Sequence, residues 1–139
     1  MSAEYLTKKY LKDNKINDIN VSSAWTEAEP EHPYLYTINR LEYYWCDASE
    51  HKQTKIKKEV LGDKDLIICM AKHHQDFIEK MWYKSVLFNF VVYGKDEDVL
   101  DEWEYEQIHW PIKDLGKYVD KIVDYIHDAI PVLIKRIDI

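Results

Sequence analysis

The stretch VLFNFVVY, from Val86 to Tyr93, decides the fold class that this sequence predicts. It is rich in β-branched and aromatic residues and is apolar on both faces of a strand, which is typical of a central position in a sheet. Gly94–Asp98 follows as a predicted turn, and Glu102–Trp110 then alternates with a period of two. Together these segments predict an antiparallel hairpin.

The segment after the hairpin is the clearest helix in the sequence. Pro111 ends the second strand, and Lys113–Ile130 then carries a continuous apolar stripe opposite charged residues. The stripe consists of Leu115, Val119, Ile122, Ile126 and Ile130. Pro131 is expected to end or kink this helix. Val132–Ile139 is then either a second helical piece or an edge strand.

Two more helices are predicted on the N-terminal side of the hairpin. In Asp65–Lys84 the apolar residues recur at spacings of three and four, although the β-prone start leaves open a buried strand running to Met70. Ser49–Leu61 begins with a capping serine and stops before Gly62. Both segments are therefore expected to pack against the sheet.

The first third of the sequence mixes helix and strand signals. Ser2–Asn14 is a predicted opening helix, and Ile19–Trp25 alternates like a strand. Tyr34–Cys46 is ambiguous, because it combines a helical apolar stripe after Pro33 with alternating aromatic residues. Of the two, we favour a strand that spans Tyr34–Trp45.

These segments predict an α+β fold, with a small, mainly antiparallel sheet packed against helices and a long C-terminal amphipathic helix. The length of 139 residues is that of one domain. No break in composition marks a second one, so residues 1–139 are predicted to form a single globular domain. With only three Gly and four Pro, long flexible linkers are not expected.

The net charge of −7 narrows the classes of partner. Nucleic acids and anionic membranes are bound by clustered Lys and Arg, so neither is expected. The sequence contains no signal-peptide core and no 18-residue apolar run, which predicts a cytoplasmic protein. Cys46 and Cys69 lie among apolar neighbours and are predicted to be free, buried thiols, with a disulfide between them as the alternative.

The short motifs of several enzyme classes are missing. Gly62, Gly94 and Gly116 are isolated from one another, so the sequence has neither a P-loop nor a Rossmann fingerprint. It also lacks a G-x-S-x-G nucleophile elbow. No cofactor is therefore expected.

The paired histidines invite two hypotheses. Cys69, His73 and Asp76 would share one face of a helix and could bind a metal, but the adjacent His73 and His74 would point about 100° apart. Cys69 could also be a nucleophile with His73 as its base, but a thiol that follows an apolar run is typical of a structural cysteine. The sequence therefore predicts no metal site and no catalytic residue.

The most unusual local feature is DEDVLDEWEYE, residues 96–106, which contains seven acids and no base. If residues 102–106 form a strand, its acids face one side and its two aromatic residues face the other. One interpretation is a solvated turn beside core aromatics. The other is a docking surface for Lys and Arg of another protein. We predict a partner-binding surface made of Asp96, Glu97, Asp98, Asp101, Glu102, Trp103, Glu104, Tyr105 and Glu106.

These features favour a small acidic protein-binding module, an inhibitor or immunity-type protein that occludes a basic partner such as a toxin or nuclease. This hypothesis argues against an enzyme. A second alternative is an oligomeric or accessory subunit whose apolar tail, Ile130–Ile139, packs against another copy. The first alternative is an enzyme without a short signature, a hydrolase or nuclease that uses His73, His74, Asp76, His109 and Cys69.

Overall fold

The computed structural model describes residues 1–26, 35–52, 54–100, 104–105, 108 and 114–137. The opening helix is confirmed, with Glu4 in its first turn and Lys12 in its last, where their charges complement the helix dipole. The elements within the described residues are α1 Ser2–Asp13, α2 Leu35–Tyr43, α3 Lys58–Leu61, β1 Ile68–Cys69, α4 Lys72–Lys80, β2 Val86–Leu87, α5 Phe88–Tyr93 and α6 Leu115–Ile137.

The two strands form a parallel sheet, in which Ile68 pairs with Val86 and Cys69 with Leu87. Helix α4 connects them, so β1, α4 and β2 form a βαβ unit. The predicted α+β fold with a mainly antiparallel sheet is therefore wrong. The physical reason lies in the short apolar run that contains β1, which is typical of a strand covered on both faces in a parallel sheet.

The stretch that suggested a central strand divides into a strand and a helix. Only Val86–Leu87 is extended, and Phe88–Tyr93 forms α5, which ends at Gly94 with a left-handed φ of 69°. Phe88 and Val92 are four residues apart and both buried, because α5 packs one face against α6. Tertiary packing thus overrides the β-propensity of the sequence.

Residues predicted as the strand Tyr34–Trp45 form helix α2 instead. Thr37 and Leu41, one helical turn apart, are its buried residues, whereas Tyr36, one of the aromatic residues that suggested alternation, is exposed. The helical alternative was the correct one, although within its apolar stripe Leu41 is buried and Leu35 is exposed.

Two other predicted elements are mostly irregular. Instead of a strand over Ile19–Trp25 there is one isolated parallel bridge between Trp25 and Lys55. The predicted helix Ser49–Leu61 is reduced to α3, because the amide and hydroxyl of Ser49 donate to the Asp47 carboxylate instead of capping a helix. The segment predicted as helix Asp65–Lys84 contains β1 and then α4, which confirms the buried strand that its start left open.

Helix α6 lies at the centre of the fold and contacts α1, α2 and α5. It continues to Ile137 through Pro131, so of the expected end or kink at that proline the end is wrong, and the helical alternative for the segment after it is the correct one. Pro131 is on the exposed side, while Ile130, Leu133 and Ile134 are buried in the core of the same chain. These three residues therefore pack within the chain, and the predicted packing of Ile130–Ile139 against another copy stays a prediction. The core residues shared by these helices include Leu6, Leu11, Leu41, Phe88, Val92, Val119, Val123 and Ile126.

Within the described ranges, no helix has both the length and the apolar character needed to cross a bilayer.

Candidate functional site

At the N-terminal end of α1, polar side chains from separate segments meet. Helix α1 has 12 residues and begins directly after Met1. The first backbone N–H groups of a helix have no intrahelical partner, and together with the helix dipole they attract anions.

His51 lies against this first turn. Its Nδ1 is 3.1 Å from the Tyr5 hydroxyl, and the two rings meet edge to face at 5.3 Å. The His51 side chain is only 9% exposed, and its Nε2 is buried without a hydrogen-bond partner among the described residues. A buried polar atom of this kind needs an explanation, and a bound ligand is one.

The protonation of the pair follows from burial. Burial lowers the pKa of His51 and raises the pKa of the Tyr5 hydroxyl, so at neutral pH the imidazole is uncharged and the phenol keeps its proton. With the Tyr5 hydroxyl donating to Nδ1, we assign the ring proton to Nε2. The unpartnered atom of His51 is then a hydrogen-bond donor.

Glu4 completes this cluster and brings in a third segment. It is a buried acid, and it accepts hydrogen bonds from Lys8 Nζ at 3.0 Å and from Ser23 Oγ at 2.9 Å. Its Oε2 is also 3.8 Å from His51 Nδ1. The Lys8 ammonium offsets the negative charge that Glu4 places in the first turn of the helix.

The second cluster lies where β1 ends and α4 begins. His73 and His74 are in the first turn of α4, whose Lys72 N–H donates to Asp98 Oδ1 at 2.8 Å. His73 Nε2 is 2.6 Å and His74 Nε2 is 3.5 Å from the same oxygen of Glu104, Oε2. The carboxyl ends of parallel strands are where α/β proteins bind ligands.

Comparison with known proteins places this fold. The family model for low molecular weight phosphotyrosine protein phosphatase matches residues 1–138. The chain belongs to this family. No curated protein matches it significantly.

Several solved structures of the phosphatase fold resemble the chain along nearly its whole length. A YwlE mutant from Bacillus subtilis has a TM-score of 0.81 at 22% identity, covering 99% of this chain and 89% of that one. A YwlE arginine phosphatase, a cysteine-to-serine mutant with a phosphorylated active-site serine, has a TM-score of 0.82 at 21% identity, covering 99% and 86%. A low molecular weight protein tyrosine phosphatase from T. tengcongensis has a TM-score of 0.78 at 22% identity, covering 98% and 89%.

Family membership corrects the functional hypothesis. The predicted function as an inhibitor, antitoxin or immunity-type protein is wrong, because this is a family of phosphatases. The argument against an enzyme is wrong for the same reason. The basic protein partner loses its support for the same reason. The enzyme alternative, a hydrolase, agrees better with the family.

Both cysteines of this phosphatase-family chain are free and buried, so the disulfide alternative is wrong. Burial raises the pKa of the Cys46 thiol and that of the Cys69 thiol, although a hydrogen bond with Ser85 works against the shift at Cys69. Cys46 Sγ donates at 3.7 Å to the backbone carbonyl of Tyr5. A nucleophilic thiol needs a lowered pKa, so neither cysteine has the environment of one.

The residues of the acidic stretch have separate environments where the structure describes them. Asp96, Glu97 and Asp98 are exposed, while Glu104 is buried beside the histidines. The Tyr105 ring stacks on that of Tyr118 in α6, with centroids 3.4 Å apart. Their role in binding another molecule stays a prediction. The remaining predicted members, Asp101, Glu102, Trp103 and Glu106, lie outside the described residues.

The candidate residues of the enzyme alternative are only partly brought together. His73 and His74 share Glu104, whereas Asp76 is exposed further along α4 and Cys69 is buried in β1. His109 lies outside the described residues. Sequence reasoning missed the cluster of His51, Tyr5 and Glu4, because 46 residues separate Tyr5 from His51 and no motif marks either one.

Proposed function

We propose that the chain is a phosphatase that acts on phosphorylated side chains of proteins, with phosphotyrosine as the first candidate and phosphoarginine as the second. The observation that carries this proposal is the family match over residues 1–138. Phosphoarginine is included because two of the similar structures are arginine phosphatases.

The α1 cluster supplies groups suited to a phosphoryl group. A phosphoryl group is an anion with several acceptor oxygens, and the N-terminus of α1 offers backbone N–H donors and a positive dipole end. His51 adds the N–H of a neutral imidazole, held in place by Tyr5. The role assigned to His51 is to bind and orient the phosphoryl oxygens, since a donor fixed in advance stabilises charge without reorganising.

The charge of Glu4 has to be accommodated beside such an anion. Its carboxylate would repel a phosphoryl group at short range, but Lys8 and Ser23 both donate to it. These two hydrogen bonds hold the carboxylate and reduce its field at the helix end. Glu4 is therefore assigned a positioning role, linking α1 to the segment that carries Ser23.

The attacking group is assigned to neither cysteine. One similar phosphatase carries a phosphorylated serine in place of its active-site cysteine, so the active-site residue of that protein accepts the phosphoryl group. A thiol does this as the thiolate, whereas the pKa values of Cys46 and Cys69 are raised by burial. The proposal therefore assigns phosphoryl binding and positioning to α1 and His51 and names no attacking group.

The test measures phosphate release from a phosphotyrosine peptide and from a phosphoarginine peptide, together with binding of each peptide. We expect release from at least one peptide, and a kcat/KM lower by about tenfold or more in His51→Gln, as for the loss of one oriented donor. His127→Gln is the matched control, because His127 is an exposed histidine on α6 paired with Asp128. The proposal would be refuted if the folded chain neither hydrolysed nor bound either peptide.

Two cysteine variants separate the chemistry from the fold. Cys46→Ser and Cys69→Ser should retain hydrolysis if neither thiol is the attacking group. Loss of turnover in one of them, with the peptide still bound and the chain still folded, would assign that thiol and contradict this part of the proposal. The cytoplasm remains the proposed compartment, since two free thiols are typical of reducing surroundings.

A further inference from the structure

The geometry points to a divalent-metal site formed by His73, His74 and Glu104, with Zn²⁺ as the cation. One ligand atom from each of the three residues lies within 4.8 Å of the others. Two imidazoles and one carboxylate are a ligand set that zinc accepts with a fourth position left open. This inference does not use the proposed phosphatase activity.

The distance between the ligand atoms of His74 and Glu104 already fits a shared zinc ion. With zinc–ligand bonds of about 2.1 Å and tetrahedral angles, two ligand atoms lie about 3.4 Å apart. His74 Nε2 and Glu104 Oε2 are already 3.5 Å apart. This pair needs almost no movement to share an ion.

His73 has to move and is free to do so. Its Nε2 is 2.6 Å from Glu104 Oε2, so an ion between them requires the two atoms to separate by about 0.8 Å for the same tetrahedral spacing. The His73 side chain is 55% exposed, and a rotation of an exposed ring meets little resistance. Metal binding would thus replace a His–Glu hydrogen bond with two coordination bonds.

The adjacency of the histidines does not prevent shared coordination. Side chains at neighbouring helix positions diverge by about 100°. Here the two rings nevertheless have centroids 4.1 Å apart, and Glu104 reaches toward both from another segment. The sequence pattern set His73 and His74 apart from each other, whereas the fold supplies the ligand between them.

The surroundings fix one side of the site and leave the other open. The Glu104 side chain is 9% exposed and that of His74 is 21% exposed, whereas His73 faces solvent. Stacking of Tyr105 on Tyr118 anchors the segment that carries Glu104 to α6. The solvent side would hold water as the fourth ligand.

Local charge opposes a cation at one point. The histidines occupy the first turn of α4, where the helix dipole is positive. Asp98 accepts the Lys72 N–H at that end, and its negative charge offsets the dipole. The nitrogen ligands favour zinc over Mg²⁺ and Ca²⁺, which prefer oxygen.

The test uses the purified full chain stripped of metal, with ZnCl₂ followed by calorimetry and CoCl₂ followed by visible absorption. We expect one Zn²⁺ per chain and Co²⁺ bands of a site with nitrogen ligands. His73→Gln and His74→Gln should each weaken zinc binding at least about tenfold. Mutating a residue that only hydrogen-bonds to a metal ligand already lowers metal affinity by about that factor. His127→Gln is the matched control and should leave the affinity unchanged.

Several outcomes would overturn the site. These are the absence of zinc binding at micromolar concentration, binding that survives in the His73→Gln/His74→Gln double variant, or a Mg²⁺ affinity that exceeds that for Zn²⁺. Cys46→Ser and Cys69→Ser guard against binding through thiols, and loss of binding in either one would also contradict the assignment. Because His73 is exposed, His73→Gln should fold normally, so its result stands even if a change at buried Glu104 unfolds the chain.

Discussion

Arg40 on α2 holds Asp124 on α6 through two hydrogen bonds, from Nε to Oδ1 at 2.8 Å and from Nη2 to Oδ2 at 2.7 Å. The Tyr44 hydroxyl donates to the same carboxylate at 2.6 Å. The Tyr44 ring in turn stacks on His127, with centroids 4.0 Å apart. These contacts join α2 to the central helix by a planar, charge-assisted pair.

Replacing Arg40 with Gln should lower the free energy of unfolding by about 1–2 kcal/mol, because it leaves the partly buried Asp124 carboxylate short of two charge-assisted hydrogen bonds. Urea denaturation at pH 7 measures this loss. Lys117→Gln is the control, since Lys117 is 83% exposed and 3.9 Å from Asp114, and a surface pair of that kind contributes little. Equal effects of the two variants would show that the Arg40 pair adds nothing.

The same pair predicts a stability loss in acid. The hydrogen bond from Arg40 is the main cause of a lowered pKa at Asp124. Since the folded-state pKa lies below the unfolded value of about 3.9, the stabilisation is present above that pH and is lost as the pH falls through the folded-state value. The stability difference between the wild type and Asp124→Asn should therefore shrink from pH 7 to pH 3. A difference that stays constant over this range would contradict the role of Asp124.

The amphipathic helices were the predictable part of the fold. The apolar stripe of α6 and the dipole-matched charges of α1 are local patterns, and both helices are confirmed. The strand predicted over Val86–Tyr93 was wrong, because an apolar run indicates burial and does not specify the backbone conformation. β2 and α5 lie in this one hydrophobic run. Pairing direction failed as well, because nothing within a two-residue strand specifies a parallel neighbour.

The clusters were harder to predict than the helices, since each depends on contacts between distant segments. Tyr5 and His51 are 46 residues apart, and Arg40 and Asp124 are 84 apart. Glu104 was assigned to an exposed acidic surface because its neighbours in sequence are acids. Its burial beside His73 and His74 depends on where α4 begins, which the sequence placed several residues too early.

His51 should make the chain less stable as the pH falls below about 6.5. Burial lowers its pKa in the folded state, so the unfolded chain takes up the proton first and stability declines until the folded-state pKa is reached. Glu4 opposes this shift and Lys8 supports it. Thermal unfolding at pH 7.5 and pH 5.5 should show a smaller decrease for His51→Gln than for the wild type. An equal decrease in both would assign the acid sensitivity to other groups.

Both thiols should react slowly in the folded chain. Cys46 and Cys69 are about 5% and 6% exposed, and burial raises the pKa of each, so little thiolate is available at neutral pH. Titration with a thiol-reactive disulfide reagent should label both cysteines rapidly in urea and neither rapidly in buffer. One fast thiol in buffer would point to a reactive site at that cysteine, and Cys46→Ser would identify which one it is.

Pro131 should be a site where substitution stabilises the chain. Helix α6 passes through it, although proline has no N–H to donate to the carbonyl of His127 one turn earlier and its ring crowds that carbonyl. A proline inside a helix destabilises the folded state by about 3 kcal/mol relative to alanine. The unfolded chain has more conformational freedom with alanine than with proline, which lowers the gain from the substitution by up to about 1 kcal/mol. Pro131→Ala should therefore raise the free energy of unfolding by about 2 kcal/mol in urea denaturation. The exposed Lys135→Ala should change it by less than about 0.5 kcal/mol. If Pro131→Ala proves neutral or destabilising, the expectation that this proline costs the folded helix stability is wrong.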